Sequence, residues 1–290
     1  MQKERFFSFL IIAFVYAVAT AVGILTYVSL PLDMWLSLLI ADIAATATTF
    51  VFSLIFKNAS VYDPYWSVQP IVILVCFALF TPLNIIDILV LTVVCLWGVR
   101  LTANWAYTFH GLKHQDWRYT MLHQKTGRWY PLINFFGIHL FPTLVVFACI
   151  LPAVYLITSN IEGNVFSFIF VGVSLLAVIL QGTADCQMHY FQRHRTKENF
   201  IRFGLWRHSR HPNYLGEILM WWGVGLASVL TIQSDFLLLA GAVINTLMFL
   251  IVSIPMADRR QAQKEGFDEY ASQTRALLPI KKFKTNKNNN

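Results

Sequence analysis

The sequence predicts an all-α integral membrane protein, a polytopic bundle of about eight transmembrane helices, with seven as the alternative count. Three observations predict it. Apolar stretches of spanning length recur from one end of the 290-residue chain to the other, and a helix needs about 20 mostly apolar residues to cross the hydrocarbon core. Charged residues make up only 13% of the chain and hydrophobic ones 57%, where a soluble domain carries about 25% charged. The basic residues also crowd into alternate connections, as membrane orientation requires.

The apolar runs place helices at 6–30, 34–56, 67–81, 84–107, 131–158, 164–191, 213–232 and 235–256. The first is too long for a signal h-region and no small-residue cleavage site follows it, so it reads as a retained helix. The third is short and lies between Pro70 and Pro82, so it is expected to tilt or to span only partly. Pro142 and Pro152 fall inside the fifth and are expected to kink it, with neighbours satisfying the freed carbonyls. Short hairpins at 31–33, 81–84 and 159–163 join several helices. No internal repeat is visible. The expected organisation is an N-terminal helix pair over 1–56, one membrane domain over 57–280 and a disordered basic tail over 281–290.

With eight spans and an inside N-terminus, every basic residue except Arg100 falls in an inside segment, and the outside hairpins hold only Asp33, Glu162 and Asp235. This bias places both termini in the cytoplasm. It also accounts for the net charge of +7, which in a soluble protein would suggest nucleic acid; no nucleic-acid partner and no obligate protein partner is expected here. Cys76, Cys95, Cys149 and Cys186 lie in apolar stretches without a CxxC pair and read as small core residues. His110 and His114 have helical spacing, but no HExxH accompanies them, and no metal site is expected. The chain has no GxGxxG after a strand, no Walker sequence and no GxSxG. Gly223 and Gly225 read as positions of close helix packing.

Ionisable residues are costly at membrane depth and imply an aqueous or ligand-filled cavity. Three helices carry polar stripes. Trp97, Arg100, Asn104 and Tyr107 share one face of the fourth helix, and Gln181, Asp185 and His189 follow at four-residue spacing on the sixth. Asn213 and Glu217 are one turn apart on the seventh. Together they predict a polar pocket opening inward; the alternative is interfacial snorkelling with isolated interhelical hydrogen bonds. Between the sixth and seventh helices, six basic residues over 193–217 are interleaved with Phe200, Phe203, Trp206 and Tyr214. That mixture suits a ligand with planar rings and phosphates. It leads into a helix start at Pro212, where free N–H groups can meet an anion.

The segment Gly204-Leu-Trp-Arg-His-Ser-Arg-His-Pro-Asn-Tyr-Leu-Gly-Glu217 resembles the steroid 5-alpha-reductase superfamily, most closely bacterial membrane proteins that share its C-terminal domain. Asp63-Pro-Tyr-Trp-Ser67, Leu96-Trp-Gly-Val-Arg-Leu101, Asp116-Trp-Arg-Tyr119, Ala184-Asp-Cys-Gln187 and the ending Phe267-Asp-Glu-Tyr270 with Arg275-Ala-Leu-Leu-Pro279 add to the resemblance, which spans roughly 60–280. It implies a multi-pass protein of the bacterial inner membrane, with a reductase-like domain and an NADPH site facing the cytoplasm. The reaction it implies is reduction of a conjugated carbon–carbon double bond in a lipid-like substrate. On that template Asn213 and Glu217 contact the nicotinamide end. Asp185, Arg193 or Arg195, Arg202 and Arg210 line the adenosine and phosphate part, with Trp206, His211 and Tyr214 from the same loop. Arg100, Asn104 and Arg118 help close the site. Asp63 falls near the acid that holds the substrate carbonyl; Trp97 falls closest to its aromatic partner, while Tyr107 or Tyr119 serves better chemically. Pro255-Met-Ala-Asp-Arg-Arg260 departs from the pattern of the last helix and adds Asp258 and Arg259 to the cofactor set; Gln192 stands where an arginine is expected.

The chemistry suits these residue types. Hydride adds to the β-carbon of an enone, negative charge builds on the carbonyl oxygen, and a carboxyl or phenol must hydrogen-bond that oxygen. The cofactor supplies the difficult step and the protein supplies position, with arginine forks for phosphate oxygens. The Arg-His-Pro-x-Tyr-x-Gly segment equally resembles membrane methyltransferases of the isoprenylcysteine carboxyl type, which bind S-adenosylmethionine. A non-catalytic lipid-binding or transport protein is the third reading.

Overall fold

The computed structural model describes residues 2–194 and 200–279. Secondary structure among them is helical apart from one isolated bridge between Ser209 and Arg275. Among the described residues, eight helical segments are long and apolar enough to cross a membrane. Large apolar side chains lie exposed along them, among them Phe14, Val99, Leu176 and Ile251. Water would not tolerate so much exposed apolar surface, whereas a bilayer requires it. The chain is a polytopic helical membrane protein.

It divides into two compact units, Met1–Glu162 and Gly163–Asn290. The boundary falls inside the stretch that the sequence reading treats as one domain, and the N-terminal helix pair belongs to the larger first unit. That unit holds α1 (Gln2–Ser29), α2 (Met34–Ile55), α3 (Tyr65–Ala78), α4 (Ile85–Thr108), α5 (Trp117–Thr126), α6 (Tyr130–Ile133) and α7 (Phe141–Ser159). Helix α1 packs on α2, and α3 packs on both α4 and α7. Interhelical hydroxyl contacts add to the apolar packing: Tyr62 Oη lies 2.8 Å from Thr143 Oγ1, and Thr46 Oγ1 donates to the same oxygen at 3.2 Å. Asn84 caps α4 through the amides of Ile86 and Asp87 while Asp87 returns the bond, a reciprocal capping box.

The fourteen residues of α3 rise about 21 Å at about 1.5 Å each, less than the roughly 30 Å hydrocarbon core. The 3-10 turn Ala59–Val61 extends the segment, and Pro70 sits inside the helix. The expected fifth helix differs more. Its span of 131–158 stands as 130–159, made of α6, a π turn and α7, but the helical run starts earlier, at Trp117, with α5 joined to it through a turn at Gly127, where φ is +50°. The sequence reading takes its first part as a loop because Arg118, His123, Lys125 and Arg128 break the apolar pattern, yet Asp116 caps it by accepting from Arg118 N at 2.8 Å. Two π-helical turns, Asn134–Leu140 and Phe249–Ser253, end just before Pro142 and Pro255. Proline removes one amide from the ladder, and a π turn shifts the hydrogen-bond register to absorb that loss.

The second unit holds α8 (Val165–His194), α9 (Pro212–Ile232), α10 (Ala240–Met248), α11 (Ile254–Gln261) and α12 (Phe267–Gln273). Helices α8 and α9 form its centre. A Cβ on Gly216 would stand 2.8 Å from Ala177 O and run into Gln181 Cγ; one on Gly223 would stand 2.7 Å from Phe170 O and run into Ser174 Oγ. Only glycine lets the two backbones approach this closely. Ser174 then donates to Met220 O at 3.1 Å, and Ser167 meets Thr231 at 2.6 Å. Gly225 meets the end of Leu239, at 2.9 Å, so of Gly223 and Gly225 it is Gly223 that, with Gly216, sets the approach of α8.

Candidate functional site

In the first unit, the 3-10 turn Ala59–Val61 and the connection before α5 are tied together by polar contacts. Asn58 Nδ2 donates to Leu112 O at 2.6 Å, Ala59 N to Gln115 Oε1 at 3.1 Å, and Asp116 N to Ser60 Oγ at 2.9 Å. From the other side, Arg5 on α1 donates to Ala106 O at 2.6 Å and Leu112 N donates to Ser8 Oγ at 3.1 Å. This framework brings the two motifs Asp63-Pro-Tyr-Trp and Asp116-Trp-Arg-Tyr together. The Tyr119 phenol donates to Asp63 Oδ1 at 2.5 Å. Around the pair lie Tyr62 and Tyr65, buried, with Tyr16 and Tyr130 packed against them. Tyr16 donates to Val61 O at 2.7 Å, and its ring meets Tyr65 edge-on at 5.5 Å. Arg118 forks onto Asp116, Nε to Oδ1 at 2.8 Å and Nη2 to Oδ2 at 3.1 Å, with its guanidinium 5.6 Å from the Tyr119 ring centroid.

Helix α4 carries its stripe as the spacing predicts. Trp97 is fully buried, edge-on to Trp66 at 5.9 Å. Arg100 and Asn104 are half-buried one and two turns on. Tyr107, near the end of the helix, is 46% exposed. His110 and His114 have ring centroids 6.0 Å apart; no group of three or more His, Cys, Asp or Glu among the described residues is placed to hold a metal ion.

In the second unit one polar residue of α8, Gln181, falls at a close approach of α8 to α9. Gln181, fully buried, lies under Gly216. Its amide oxygen and nitrogen have no hydrogen-bond partner among the described residues, and neither has Asn213 Oδ1. Glu217 is buried and accepts from Trp221 Nε1 at 3.1 Å. Asp185 and His189 are half-buried further along α8. Pro212 occupies the first turn of α9 as expected, with His211 as its cap residue.

The connecting loop is docked at both ends of its described part. Trp206 Nε1 donates to Ala184 O at 3.1 Å and Leu205 N to Gln187 Oε1 at 2.9 Å. Gly204 adopts a left-handed conformation at φ +58°, with Gln187 filling the space a Cβ would need. Arg210 N and His211 N then donate to Arg275 O and Ala276 O, each at 3.0 Å. Asp258 receives Arg210 Nη2 at 2.7 Å and His211 Nε2 at 2.9 Å. Arg210 further donates to the carbonyls of Ala271 and Thr274, and Tyr270 donates to Trp206 O. The His211 ring stacks on Tyr214 at 5.0 Å, and Tyr214 packs on Phe249. Of the residues expected at phosphates, Arg210 thus forks onto Asp258 and the C-terminal segment. Arg202 is exposed with its guanidinium 4.3 Å from the Phe200 ring centroid, Arg193 and Arg259 are exposed, and Arg195 lies outside the described residues.

The model of a family described as "Protein of unknown function (DUF1295)" matches residues 49–274. The chain belongs to the DUF1295 family. Both polar clusters and the loop fall within the match, while α1 and the first part of α2 precede it. A curated uncharacterised protein of Schizosaccharomyces pombe is 26% identical over 193 residues, covering 57% of this chain and 56% of the relative. The DUF1295 chain thus spans about half the length of the curated relative it matches. No solved structure matches it.

Two buried acids lie outside the sequence expectations, Asp87, which belongs to the capping box of α4, and Asp42. Asp42, on α2, is 4% exposed and accepts from Gln69 Nε2 at 2.7 Å. The signal was available: it is the one ionisable residue within Met34–Ile55, and a lone acid in an apolar span marks a functional position by default.

Proposed function

We propose that this DUF1295 chain is a membrane-embedded, NADPH-dependent reductase of a conjugated carbon–carbon double bond in a lipid such as a steroid or other isoprenoid enone, of the steroid 5-alpha-reductase type. The observation that carries the reading is the contact of Tyr119 with Asp63 at 2.5 Å. As the β-carbon of an enone is reduced, charge develops on the carbonyl oxygen, and a donor already fixed there lowers the barrier without reorganisation. Tyr119 and Asp63 would hold a proton at that oxygen. Asp116 fixes the start of α5 and so the direction of the Tyr119 ring; Tyr16, Tyr62 and Tyr65 belong to the same aromatic cluster as Tyr119.

The donor set of the second unit suits a polar, amide-bearing cofactor. The unpartnered Gln181 amide and Asn213 Oδ1, next to buried Glu217, offer hydrogen bonds that the protein leaves unused, and a buried amide left unsatisfied costs about 1–3 kcal/mol. When bound, NADPH supplies the hydride. Asn213 and Glu217 would orient its carboxamide end, Asp185 would bind on the adenosine side, and Arg193 and Arg202 would meet phosphate oxygens. Arg210, His211 and Asp258 would hold the loop in shape around them. A cytoplasmic face for this cofactor set, in a bacterial inner membrane, belongs to the same proposal.

The test is a thermal-shift titration of purified protein with NADPH and with S-adenosylmethionine. NADPH is expected to bind more tightly, and Glu217→Ala to lose that preference while keeping the helical spectrum. Tighter binding of S-adenosylmethionine would replace the reductase reading with the methyltransferase one.

A further inference from the structure

The first unit contains a cavity of about 420 Å³ lined by α1, α2 and α3, within the range of about 300–1,000 Å³ that small-molecule sites occupy. Its walls are apolar, with Leu38, Val72, Ile73 and Phe77 among them, and none of the lining residues is basic. Val28 and Phe80, which also line it, are 69% and 90% exposed, so one end meets the lipid-facing surface. The other end is polar. Asp42 and Gln69, 4% and 6% exposed, both line it, and their mutual bond uses Asp42 Oδ2 and Gln69 Nε2. Asp42 Oδ1 and Gln69 Oε1 are left without a partner among the described residues. Tyr65 also lines the cavity, its phenol within hydrogen-bonding reach of the Asp42 carboxyl.

We infer that this cavity binds a lipid alcohol, a slender apolar body ending in one hydroxyl, inserted head first from the bilayer. Two buried acceptors facing an apolar space call for a donor, since each unsatisfied group costs about 1–3 kcal/mol. A hydrocarbon leaves both unsatisfied, and a fatty carboxylate sets charge against Asp42. A hydroxyl donates to an acceptor without bringing charge among the apolar walls, whereas an ammonium carries a charge whose burial is costly. Asp42 and α1 lie ahead of residue 49, where the family match begins, and the inference does not rest on the reductase reading.

The experiment uses the full chain in nanodiscs and a hexadecanol carrying a terminal diazirine. Irradiation is expected to label α1, α2 and α3 at cavity positions. Unlabelled hexadecanol should compete at least tenfold better than hexadecane, palmitate or hexadecylamine. Asp42→Leu should cut labelling at least fivefold, and Ile73→Trp, which fills the cavity and leaves the polar end intact, should abolish it. Equal competition by hexadecane would reduce the cavity to a lipid-filled groove, and stronger competition by hexadecylamine would overturn the alcohol assignment. Undiminished labelling of either variant, with its helical spectrum intact, would remove the site.

Discussion

Replacing Gly223 by alanine tests whether the close approach of α8 and α9 builds the second unit. The added Cβ would sit 2.7 Å from Phe170 O and 3.1 Å from Ser174 N, besides overlapping Ser174 Oγ. Ordinary contact starts near 3.4 Å, so α9 must withdraw by about 0.7 Å from the Phe170 carbonyl, and Ser174 must also move, at the expense of its bond to Met220 O. Overpacking of this kind costs about 1–3 kcal/mol, and the lost hydrogen bond about 1 kcal/mol. Alanine's helical preference returns about 1 kcal/mol. The net expectation is destabilisation by about 1–3 kcal/mol. Gly172→Ala on α8 is the control, because its Cβ meets nothing within 4 Å; only the helical preference acts there, and stability should be unchanged or rise by up to about 1 kcal/mol. Thermal unfolding followed by tryptophan fluorescence in detergent compares the two. Equal shifts, or a Gly223→Ala protein more stable than Gly172→Ala, would refute the steric argument.

Tyr119→Phe keeps the ring in its aromatic cluster but removes the donor to Asp63; turnover of an enone should fall about 10²-fold with the unfolding temperature little changed, read from NADPH consumption. Asp258→Ala leaves Arg210 and His211 without their shared acceptor, so amide exchange at 210 and 211 should quicken at least tenfold, against no change in α7. Trp206→Phe removes the bond to Ala184 O and should cost about 1 kcal/mol, measured by the same thermal assay. Burial pushes the Tyr270 phenol up to about 12, above its ordinary value of about 10. Its contribution is complete below the ordinary value and falls as pH rises through the folded one. Exchange at 210 and 211 should therefore accelerate between about pH 10 and 12, and Tyr270→Phe should abolish that step.

Much of this architecture can be read from the chain itself. Helix cores follow from uninterrupted apolar runs, because the bilayer penalises any other backbone. The start of the fifth helical run does not, because Arg118, Lys125 and Arg128 give it the composition of a loop while its cap and packing make it helical. Proximity of Asp63 to Tyr119 is likewise invisible in spacing, since fifty-six residues separate them and long-range contacts such as those of Asn58, Gln115 and Ser60 bring them together. The role of Arg210 shows the opposite limit. Its neighbourhood suggests a phosphate ligand, yet its partner Asp258 lies forty-eight residues away, and a charge pattern alone cannot say whether an arginine awaits an anion or already holds one. Asp42 was legible as a lone acid in an apolar span; its meaning needed Gln69 and the cavity beside it.

The strap formed by residues 270–276 over the 206–211 loop also bears on biosynthesis. Arg275 and Ala276 emerge from the ribosome some sixty-five residues after Ser209, to which Ala276 is bonded, so α8 and α9 can be paired in the membrane well before their connection is fastened. Until Asp258 follows, forty-seven residues after His211, the loop is held at one end only, through Trp206 and Gln187; the 270–276 strap then completes the fastening. Nascent chains arrested before residue 258 should therefore be inserted yet protease-sensitive at 207–211, which makes the segment from Asp258 to Ala276 a maturation step for the second unit.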